Sequence, residues 1–361
     1  MLILVISDFH LGRGKFFKNG QANILEDFHE DDRFVEFMEH YCSGKYYNAP
    51  IHLVMNGDLL NLIQIDLDGV FTHIIDEEVT VRALHSIREG HQAFFEAVKH
   101  FANTPNKKIS YVIGNHDAGM AFLKAQESFR EMTHPSVTFC FELNLGGIHI
   151  EHGHRFEAIN TVPTQKYFIP GPRGKPILNL PWGSLFCISL LPILKKERPY
   201  IDRVRPMNMY VKWCLVNDFF FFWRMAWVMA RYFIESNFDV YVKQNRNFKT
   251  NLKMLKQVTI YPRYERKAKS ILKKSRETHT VIMGHTHLVE WRRFPEGKYY
   301  FNSGTWNSIP SMDAGMHAHT TSLTYLLIEL DVKESKMKAA SIQVWQGRWR
   351  PFREEVSTTA L

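Results

Sequence analysis

Residues 2–10 have the sequence LILVISDFH, in which a short apolar run stops at a serine, an aspartate and a histidine. Val and Ile favour extended backbone, and five apolar residues are enough for one buried strand, so Leu2–Ile6 is predicted to be a strand ending at a polar loop. The same pattern returns four times along the chain, at Ile51–Met55, Ile109–Ile113, Ile148–Ile150 and Thr280–Met283. The fold is therefore expected to rest on buried strands, each followed by a loop of polar residues.

Helical patterns separate these strands and indicate an α/β protein. Asp31–Tyr41 has apolar residues at helical spacing, and Val79–Phe101 is predicted as one long helix. Val137–Leu143 is expected to pair with Ile148–Ile150 as a hairpin around Gly146-Gly147. Further strands are predicted at Tyr299–Asn302, Ser322–Leu330 and Ser341–Trp345. Open α/β sheets place their sites at the carboxyl ends of strands, so polar loops that are distant in sequence are expected to converge.

The loops that follow the strands carry oxygen and imidazole donors and no cysteine. In chain order they are Ser7-Asp8-Phe9-His10, Gly57-Asp58, Gly114-Asn115-His116-Asp117, His152-Gly153-His154 and Gly284-His285-Thr286-His287. Any one of them alone would be an ordinary turn or cap, but their order after successive strands favours a single site. Such a donor set suits Mn, Fe, Co, Ni or Zn. If the Asp-x-His segment is extended, its two side chains point to the same side and can share one metal ion.

Two metal ions about 3.5–4 Å apart need a bridging anion, and Asp58 is the predicted bridge. We expect one ion to be held by Asp8, His10, Asp58 and His287, and the other by Asp58, Asn115, His152 and His285. Metal binding lowers the pKa of water to about 7, which gives a nucleophile at neutral pH. His116 follows Asn115 directly and is the predicted general acid for the leaving group. Asp117 either orients His116 or caps the next helix, and the cap is the favoured role.

Taken together, these five motifs resemble the calcineurin-like metallophosphoesterase superfamily. The match covers residues 1–160 and 280–345, and Tyr300–Thr305 resembles the closing strand and turn of that family. The resemblance implies a four-layer α/β/β/α sandwich with its site at the strand ends. Asn61 stands where protein Ser/Thr phosphatases have the second Asp of their Gly-Asp-x-x-Asp-Arg-Gly loop, so protein dephosphorylation is not favoured.

Within that superfamily, the chain is similar to the branch that contains UDP-2,3-diacylglucosamine pyrophosphatases. The similarity lies in Ser7–Gly12 and in Gly57-Asp58-Leu59-Leu60. Two positions depart from that branch, which has Arg where this chain has His116 and commonly has Asp where this chain has His154. The branch implies a pyrophosphate or phosphate ester of a lipid-linked or nucleotide-sugar substrate, and these departures leave the substrate open.

A basic segment interrupts the motifs. Residues 160–277 contain 23 Lys/Arg and 7 Asp/Glu, a net charge of +16, so the remainder of this chain of net charge +8 carries −8. We predict a catalytic domain from residues 1–160 and 278–361, and a large cap insertion at 161–277. The excess positive charge indicates an anionic partner: a phosphorylated small molecule or lipid, an anionic membrane surface or a nucleic acid.

The insertion is also rich in aromatic residues. Trp213–Glu235 is predicted as one helix, either buried in the insertion or lying at a membrane interface or an acyl-chain groove. Ser184–Leu194 is a second apolar run, too short to span a bilayer and suited to shallow insertion. Lys243–Arg276 is expected to be a solvated helical face or a binding surface for phosphates or nucleic acid. Nucleic acid is less favoured because the aromatic residues cluster apart from the charges.

The leading hypothesis is a metal-dependent hydrolase of phosphate esters or pyrophosphates with two divalent ions, manganese first and Fe, Zn, Co or Ni as alternatives. The alternatives are a nuclease or cyclic-nucleotide phosphodiesterase, and a non-catalytic scaffold with the same fold. The four cysteines are scattered and indicate a reducing compartment. MLILVISDFH has no basic start and no cleavage site. We therefore expect a cytoplasmic protein, and the basic, aromatic insertion leaves open a peripheral position at the inner face of the membrane.

Overall fold

A computed structural model of the chain describes residues 1–17, 19–199, 201–202, 204, 207–235, 238–242, 263–310, 319–320, 322–334, 336–347 and 352–357. The described strands are β1 Leu2–Ile6, β2 Ile51–Asn56, β3 Lys107–Val112, β4 Thr138–Cys140, β5 Glu142–Leu145, β6 Ile148–Glu151, β7 Phe168–Pro170, β8 Pro176–Leu178, β9 Thr280–Met283, β10 Val289–Phe294, β11 Lys298–Ser303, β12 Ile309–Pro310, β13 His319–Thr320, β14 Thr324–Asp331, β15 Lys336–Trp345 and β16 Phe352–Ser357. The described α-helices are α1 Asp31–Tyr41, α2 Glu77–Gly90, α3 Gln92–Asn103, α4 Leu123–Met132, α5 Trp182–Ser189, α6 Leu191–Lys195, α7 Met207–Asn217, α8 Phe219–Glu235 and α9 Tyr264–Lys274.

The described strands form two main sheets. The first has the order β16-β15-β14-β1-β2-β3-β4, with β1 to β4 parallel to their neighbours and β14 antiparallel to β1. The second has the order β10-β11-β9-β6-β5, in which β6, β9 and β11 run parallel. The carboxyl ends of β1, β2 and β3 therefore lie along one edge of the first sheet, and those of β6 and β9 lie along one edge of the second.

Alternate residues of each strand divide the core into layers. Ile3 and Val5 of β1 pack with Ile150 and Ile282 of the second sheet, so the two sheets are stacked face to face. Leu4 and Ile6 point the other way and pack with the apolar residues of α1 to α4, such as Phe34 and Phe94. This alternation follows from the two-residue period of a strand.

The fourth layer is α9. Its Tyr264, Ala268 and Leu272 are buried against Val281 and Tyr300 of the second sheet. The expected four-layer α/β/β/α sandwich is therefore confirmed. The predicted insertion extends to residue 277 and includes this helix, although α9 packs on β9 and β11; the domain boundaries stay a prediction.

The long helix predicted at Val79–Phe101 is wrong, because the chain forms α2 and α3 with a break at His91. His91 has φ −132° and ψ 45°, outside the helical region. Its ring is drawn into the core, with Nδ1 2.9 Å from Asp31 Oδ1 and Nε2 3.3 Å from Glu26 Oε2. A Cβ on Gly90 would lie 2.3 Å from the Arg13 carbonyl oxygen, so only glycine fits before the break.

The predicted strand Val137–Leu143 is also wrong, because it is two strands in different sheets. Thr138–Cys140 pairs in parallel with β3 of the first sheet, and Glu142–Leu145 pairs with β6 of the second. The chain crosses between the sheets at Phe141. The hairpin around Gly146-Gly147 is confirmed by the pairing of β5 with β6.

The insertion has a small core of its own, formed by α6, α7 and α8 around Cys214 and Phe221. The single helix predicted at Trp213–Glu235 is broken at Asp218, whose carboxylate pairs with Arg198. The run Ser184–Leu194 is largely buried, including Leu185, Ile188 and Leu191, so its predicted shallow insertion into a membrane is wrong. Most of Lys243–Arg276 lies outside the described residues. Its described part begins at residue 263 and consists mainly of α9.

Many large apolar side chains of α7, α8 and the turn after α8 are exposed. Phe220 is 88%, Val216 78%, Trp227 68% and Phe238 82% exposed. Of the two alternatives for Trp213–Glu235, a fully buried helix is therefore excluded for the described side chains. Within the part of the chain that the structure describes, no helix combines the length and apolar character needed to cross a bilayer.

Candidate metal centre

The loops after β1, β2, β3, β6 and β9 converge at one edge of the sandwich, because these strands all end there. Donor atoms of Asp8, His10 and His287 lie within 4.8 Å of one another, as do those of Asp58, His152 and His285. Those of His10, Asp58 and His116 form a third such group. It links the other two, because His10 also belongs to the first group and Asp58 to the second. Side chains separated by up to 279 positions in the sequence are thus brought to one place.

In the first group, the histidines of two loops that are distant in sequence face each other. Nε2 of His10 lies 3.1 Å from Nε2 of His287, and the latter lies 3.5 Å from Asp8 Oδ1. His10 Nε2 is also 4.0 Å from Asp58 Oδ2. Two imidazole nitrogens and two carboxylates directed at one another suit a shared cation.

The second group is centred on Asp58 and His152. His152 Nδ1 donates to the Asn56 carbonyl oxygen at 2.9 Å, which turns Nε2 toward Asp58 Oδ2 at 3.0 Å. Asp58 Oδ1 accepts the backbone N–H of His116 at 2.8 Å, which places the neighbouring Asn115 beside the same carboxylate. Asp58 therefore stands between the two groups, where a bridging ligand would stand.

Backbone geometry at the site differs from the extended loop that the sequence suggested. Asp8 and His10 both have positive φ, 58° and 53°, so the idea that an extended Asp-x-His segment aligns their side chains is wrong. Asp58, His285 and His287 have positive φ as well. Left-handed backbone in non-glycine residues costs on the order of 1–3 kcal/mol each and clusters at functional sites.

Two glycines allow the loops to approach this closely. A Cβ on Gly114 would lie 2.2 Å from Asp58 Oδ1, and one on Gly284 would lie 2.6 Å from Asp8 Oδ2. Any larger residue would push the third or the fifth loop away from the carboxylates. The glycines before Asn115 and His285 are thus steric requirements of the site.

The electrostatics keep Asp58 ionised and His10 neutral, the protonation states in which these two side chains can bind a metal ion. Burial alone would raise the pKa of Asp58, but the imidazoles of His152 and His116 outweigh it and hold that pKa well below its usual range. Burial lowers the pKa of His10 to about 3, so its imidazole is neutral at physiological pH. Burial also disfavours charge on His152, but Asp58 more than offsets this and raises its pKa to about 10. The site therefore favours positive charge beside Asp58.

His116 lies at the edge of the cluster and is held by a residue that the sequence did not identify. Its Nδ1 donates to Asn61 Oδ1 at 2.9 Å, and its ring packs edge-on against His10 at 4.4 Å between centroids. Burial lowers the pKa of His116.

The expected helix cap at Asp117 is wrong. Asp117 accepts hydrogen bonds from the backbone N–H groups of Gly114 and Leu59 and from the Tyr111 hydroxyl. Its carboxylate is fully buried and joins the second and third loops, so it fixes the loops that carry Asp58 and Asn115.

Sequence reasoning missed a carboxylate behind His285. Glu157 Oε2 lies 3.0 Å from His285 Nε2, and Glu157 also accepts from Tyr264 Oη at 2.8 Å and from Asn160 Nδ2 at 2.6 Å. Burial would raise the pKa of Glu157, but His285 and these donors lower it to about 2. Metal-bound histidines commonly have such a carboxylate on the far ring nitrogen. No spacing in the sequence signals it, since Glu157 lies in an irregular turn after β6.

The segment after β11 supports the first loop from behind. Asn307 Nδ2 donates to the carbonyl oxygens of Asp8 and Phe9, and Thr305 Oγ1 donates to that of Asp8. These bonds fix the loop in its left-handed conformation. The sequence pattern singles out Tyr300–Thr305 in this segment, but it does not indicate the role of Asn307.

A buried polar atom without a partner indicates that the site can accept a divalent cation. Asn115 Oδ1 is buried beside the Asp58 carboxylate and makes no hydrogen bond within the protein. Buried polar atoms without a partner are uncommon in native proteins. Such an amide oxygen, with its lone pairs available among the carboxylates and imidazoles of this cluster, suits a site that binds a divalent cation.

No protein-family model matches the chain, and no curated protein matches its sequence. Among solved structures, the chain is similar to zinc-complexed Vps29 from Entamoeba histolytica, at 11% identity and a TM-score of 0.31 over 98% of this chain and 97% of that one. It is similar to a predicted phosphoesterase from Streptococcus pneumoniae TIGR4, at 12% identity and 0.32 over 99% and 96%. It is similar also to a dimetal phosphatase from Danio rerio, at 10% identity and 0.34 over 95% of each chain. Likenesses this low carry no argument about function.

Proposed function

We propose that this protein is a hydrolase of phosphate esters or pyrophosphates that works with two divalent metal ions. One ion would be held by Asp8, His10, Asp58 and His287, and the other by Asp58, Asn115, His152 and His285. The observation that supports this is the convergence of the donor groups on Asp58, together with the buried, unpaired Oδ1 of Asn115. Bound there, such ions supply Lewis acidity, which acidifies water and neutralises phosphate charge.

The chain's own residues have separate roles in this proposal. Asp58 is ionised and can serve both ions, because neighbouring imidazoles depress its pKa. His116 stands beside the cluster, and in its protonated form it would give a proton to the departing oxygen. Asn61 holds the His116 ring through Nδ1, which leaves the opposite nitrogen for the substrate.

The test measures metal content and turnover on the same protein. Wild-type protein loaded with Mn²⁺ should contain two ions per chain by mass spectrometry, and should hydrolyse bis(p-nitrophenyl) phosphate. Asp58→Asn should lose at least one ion and nearly all activity. Asp331→Asn, at the end of β14, is the matched control. Undiminished activity of Asp58→Asn would refute the proposal, and two bound ions without turnover of any ester would favour the scaffold.

We further propose that the substrate is lipid-linked and is met at an anionic membrane on the cytoplasmic side. The supporting observation is the exposed apolar surface formed by Val216, Phe219, Phe220, Trp223 and Trp227, each of which is more than half exposed. Aromatic side chains on one helix, followed in sequence by a run of lysines and arginines, suit a membrane interface. A nuclease or cyclic-nucleotide phosphodiesterase would have no use for this surface.

Sedimentation with vesicles tests the membrane proposal. The protein should pellet with phosphatidylglycerol vesicles and less with phosphatidylcholine vesicles. The double variant Phe220→Ser/Trp227→Ser should lose this binding, whereas Val332→Ser, which is 61% exposed in another part of the molecule, should retain it. Equal pelleting of the double variant and the wild type would refute the role of this surface.

A further inference from the structure

A series of buried hydrogen bonds connects His116 to the insertion. His116 Nδ1 lies 2.9 Å from Asn61 Oδ1, and Asn61 Nδ2 lies 2.6 Å from Gln64 Oε1. Gln64 Nε2 in turn lies 3.0 Å from the carbonyl oxygen of Cys187 in α5. Asn61 is 1% exposed and Gln64 5%, so bulk water competes little for these bonds. We call Asn61, Gln64 and the Cys187 carbonyl group the amide relay.

The direction of these hydrogen bonds is fixed at the end of the relay that lies in the insertion. A backbone carbonyl group can only accept, so Gln64 must present its NH₂ group to Cys187 and its oxygen to Asn61. Asn61 must then present its own NH₂ group to Gln64 and its oxygen to His116. That oxygen accepts only from a nitrogen that carries a hydrogen, so His116 has its hydrogen on Nδ1. The polarity of one carbonyl group is thus passed through two amides to the imidazole.

The carbonyl group of Cys187 is suited to this role by its place in α5. Cys187 lies in the last turn of this helix, where the final four carbonyl oxygens have no partner within a helix. Ile188 of α5 is buried in the same apolar core as Ile63, the residue before Gln64. Apolar packing therefore holds the end of α5 against the relay, and the hydrogen bond to Gln64 adds direction to that contact.

The relay leaves the other ring nitrogen of His116 for the chemistry. A nitrogen of His116 lies within 4.8 Å of donor atoms of His10 and Asp58, so the ring adjoins the candidate metal centre. With its hydrogen on Nδ1, the neutral ring has its lone pair on Nε2, which is then the nitrogen that exchanges a proton with a substrate. The opposite tautomer would direct the lone pair of Nδ1 at the Asn61 oxygen, and the two would repel each other. The relay therefore disfavours that tautomer.

We propose that Gln64 is a positioning residue through which the insertion sets the tautomer and the ring orientation of His116. The inference rests on the proposed phosphoesterase function, in which His116 is the general acid, and adds to it a residue and a helix on which that role depends. Without Gln64, the Asn61 amide has no fixed direction and can present its NH₂ group to Nδ1, which favours the unproductive tautomer. The insertion then contributes to the chemical step in addition to its proposed membrane surface.

The experiment compares Gln64→Met with Gln126→Met in Mn²⁺-loaded protein. Gln126 Nε2 also donates to a backbone carbonyl group, that of Met120 at 2.9 Å, so the control removes the same kind of bond outside the relay. The measurement is the ratio of kcat for diphenyl phosphate, which has the poorer leaving group, to kcat for bis(p-nitrophenyl) phosphate. Gln64→Met should lower this ratio about threefold to tenfold, the effect of one neutral hydrogen bond on an equilibrium. Gln126→Met should not change it. An unchanged ratio in Gln64→Met would overturn the inference and leave the phosphoesterase proposal intact.

Gln64→Glu separates positioning from packing. Whether ionised or protonated, its carboxyl group can accept from Asn61 Nδ2, so it should keep the direction of the Asn61 amide and the wild-type ratio. Methionine is the better replacement for packing, because it buries no charge. A lower ratio in Gln64→Glu than in the wild type would therefore overturn the inference, and this comparison holds even if Gln64→Met does not fold.

Nuclear magnetic resonance of the ¹⁵N-labelled, Zn²⁺-loaded protein tests the tautomer without turnover. The ring signals of His116 are assigned by their absence in His116→Ala, and at mildly alkaline pH they should show the hydrogen on Nδ1. Gln64→Met should move the two ring nitrogen shifts toward those of the opposite tautomer, and Gln126→Met should not. If no ester is hydrolysed, the proposed function fails and this measurement alone decides. A fully retained Nδ1–H tautomer in Gln64→Met would then refute the role of the relay.

Discussion

Nε2 of His285 lies 3.0 Å from Oε2 of Glu157, and this contact attaches the last histidine motif to a carboxylate on the turn after β6. Glu157 is in turn held by Tyr264 of α9 and by Asn160. The outer helix of the sandwich is therefore connected to the candidate metal centre through two side chains.

Glu157→Gln should weaken metal binding without unfolding the protein. The substitution keeps the size of the side chain but removes the charge that orients His285 and makes it a better ligand. Loss of such a carboxylate typically costs about 10- to 100-fold in metal affinity. Competition with a chromophoric chelator would measure it. Glu142→Gln, which removes a solvent-accessible carboxylate beside Arg155, is the control. Equal affinities in the two variants would contradict the role given to Glu157.

His116→Ala should reduce turnover most for esters with poor leaving groups. A general acid contributes about 10²- to 10⁴-fold when the departing alkoxide needs a proton, and much less for p-nitrophenolate. The measurement is the dependence of kcat on the leaving-group pKa, which should become steeper in the variant. Asn61→Ala should show the same trend with a smaller loss, because it frees the ring without removing it. An equal loss for all leaving groups would assign His116 to metal binding instead.

His91 should make the protein less stable at alkaline pH. Burial disfavours its charge, but Asp31 and Glu26 more than offset this and raise its pKa to about 9, against the ordinary 6.5. A raised pKa in the folded state stabilises fully below about pH 6.5, and this stabilisation, on the order of 3 kcal/mol, is lost as the pH rises through 9. Urea unfolding at pH 6 and pH 9.5 would measure the difference. His91→Gln should have a lower free energy of unfolding at pH 6 than the wild type, and this free energy should change little between pH 6 and pH 9.5. If the variant loses stability with rising pH as the wild type does, His91 is not the cause of that loss.

Lys195 should be essential for attachment of the insertion to the sandwich. Its ammonium group is completely buried and lies 2.9 Å from Asp27 Oδ1 and 3.1 Å from Asp202 Oδ2. Asp27 belongs to the segment between β1 and α1, whereas Lys195 and Asp202 belong to the insertion. Removing one partner of a buried ion pair costs about 3–5 kcal/mol. Lys195→Met should lower the free energy of unfolding by this amount, and Lys196→Met, at an exposed neighbour, should not. A neutral effect of Lys195→Met would mean that the carboxylates find other partners.

The sequence was sufficient for the strands that carry the site. Leu2–Ile6 and Thr280–Met283 are short apolar runs with polar loops behind them, and the structure has the same bounds for both. It was insufficient wherever a tertiary contact overrides a continuous pattern. His91 interrupts a helical pattern because two distant carboxylates bind its ring, and the chain changes sheets at Phe141 without any signal in an alternating stretch. Glu157 acquires its role only from the side chains that pack beside it.

The left-handed backbone at Asp8, His10, Asp58, His285 and His287 has a consequence for how an ion would enter the site. The free energy for holding these five residues in disfavoured conformations comes from the folded sandwich, through bonds such as those of Asn307 to the first loop. Ion capture then requires little ordering of the chain, so affinity is not diminished by a loss of conformational entropy on binding. The loops are therefore preorganised for ion binding, because the two sheets fix their conformation and the ion does not have to induce it.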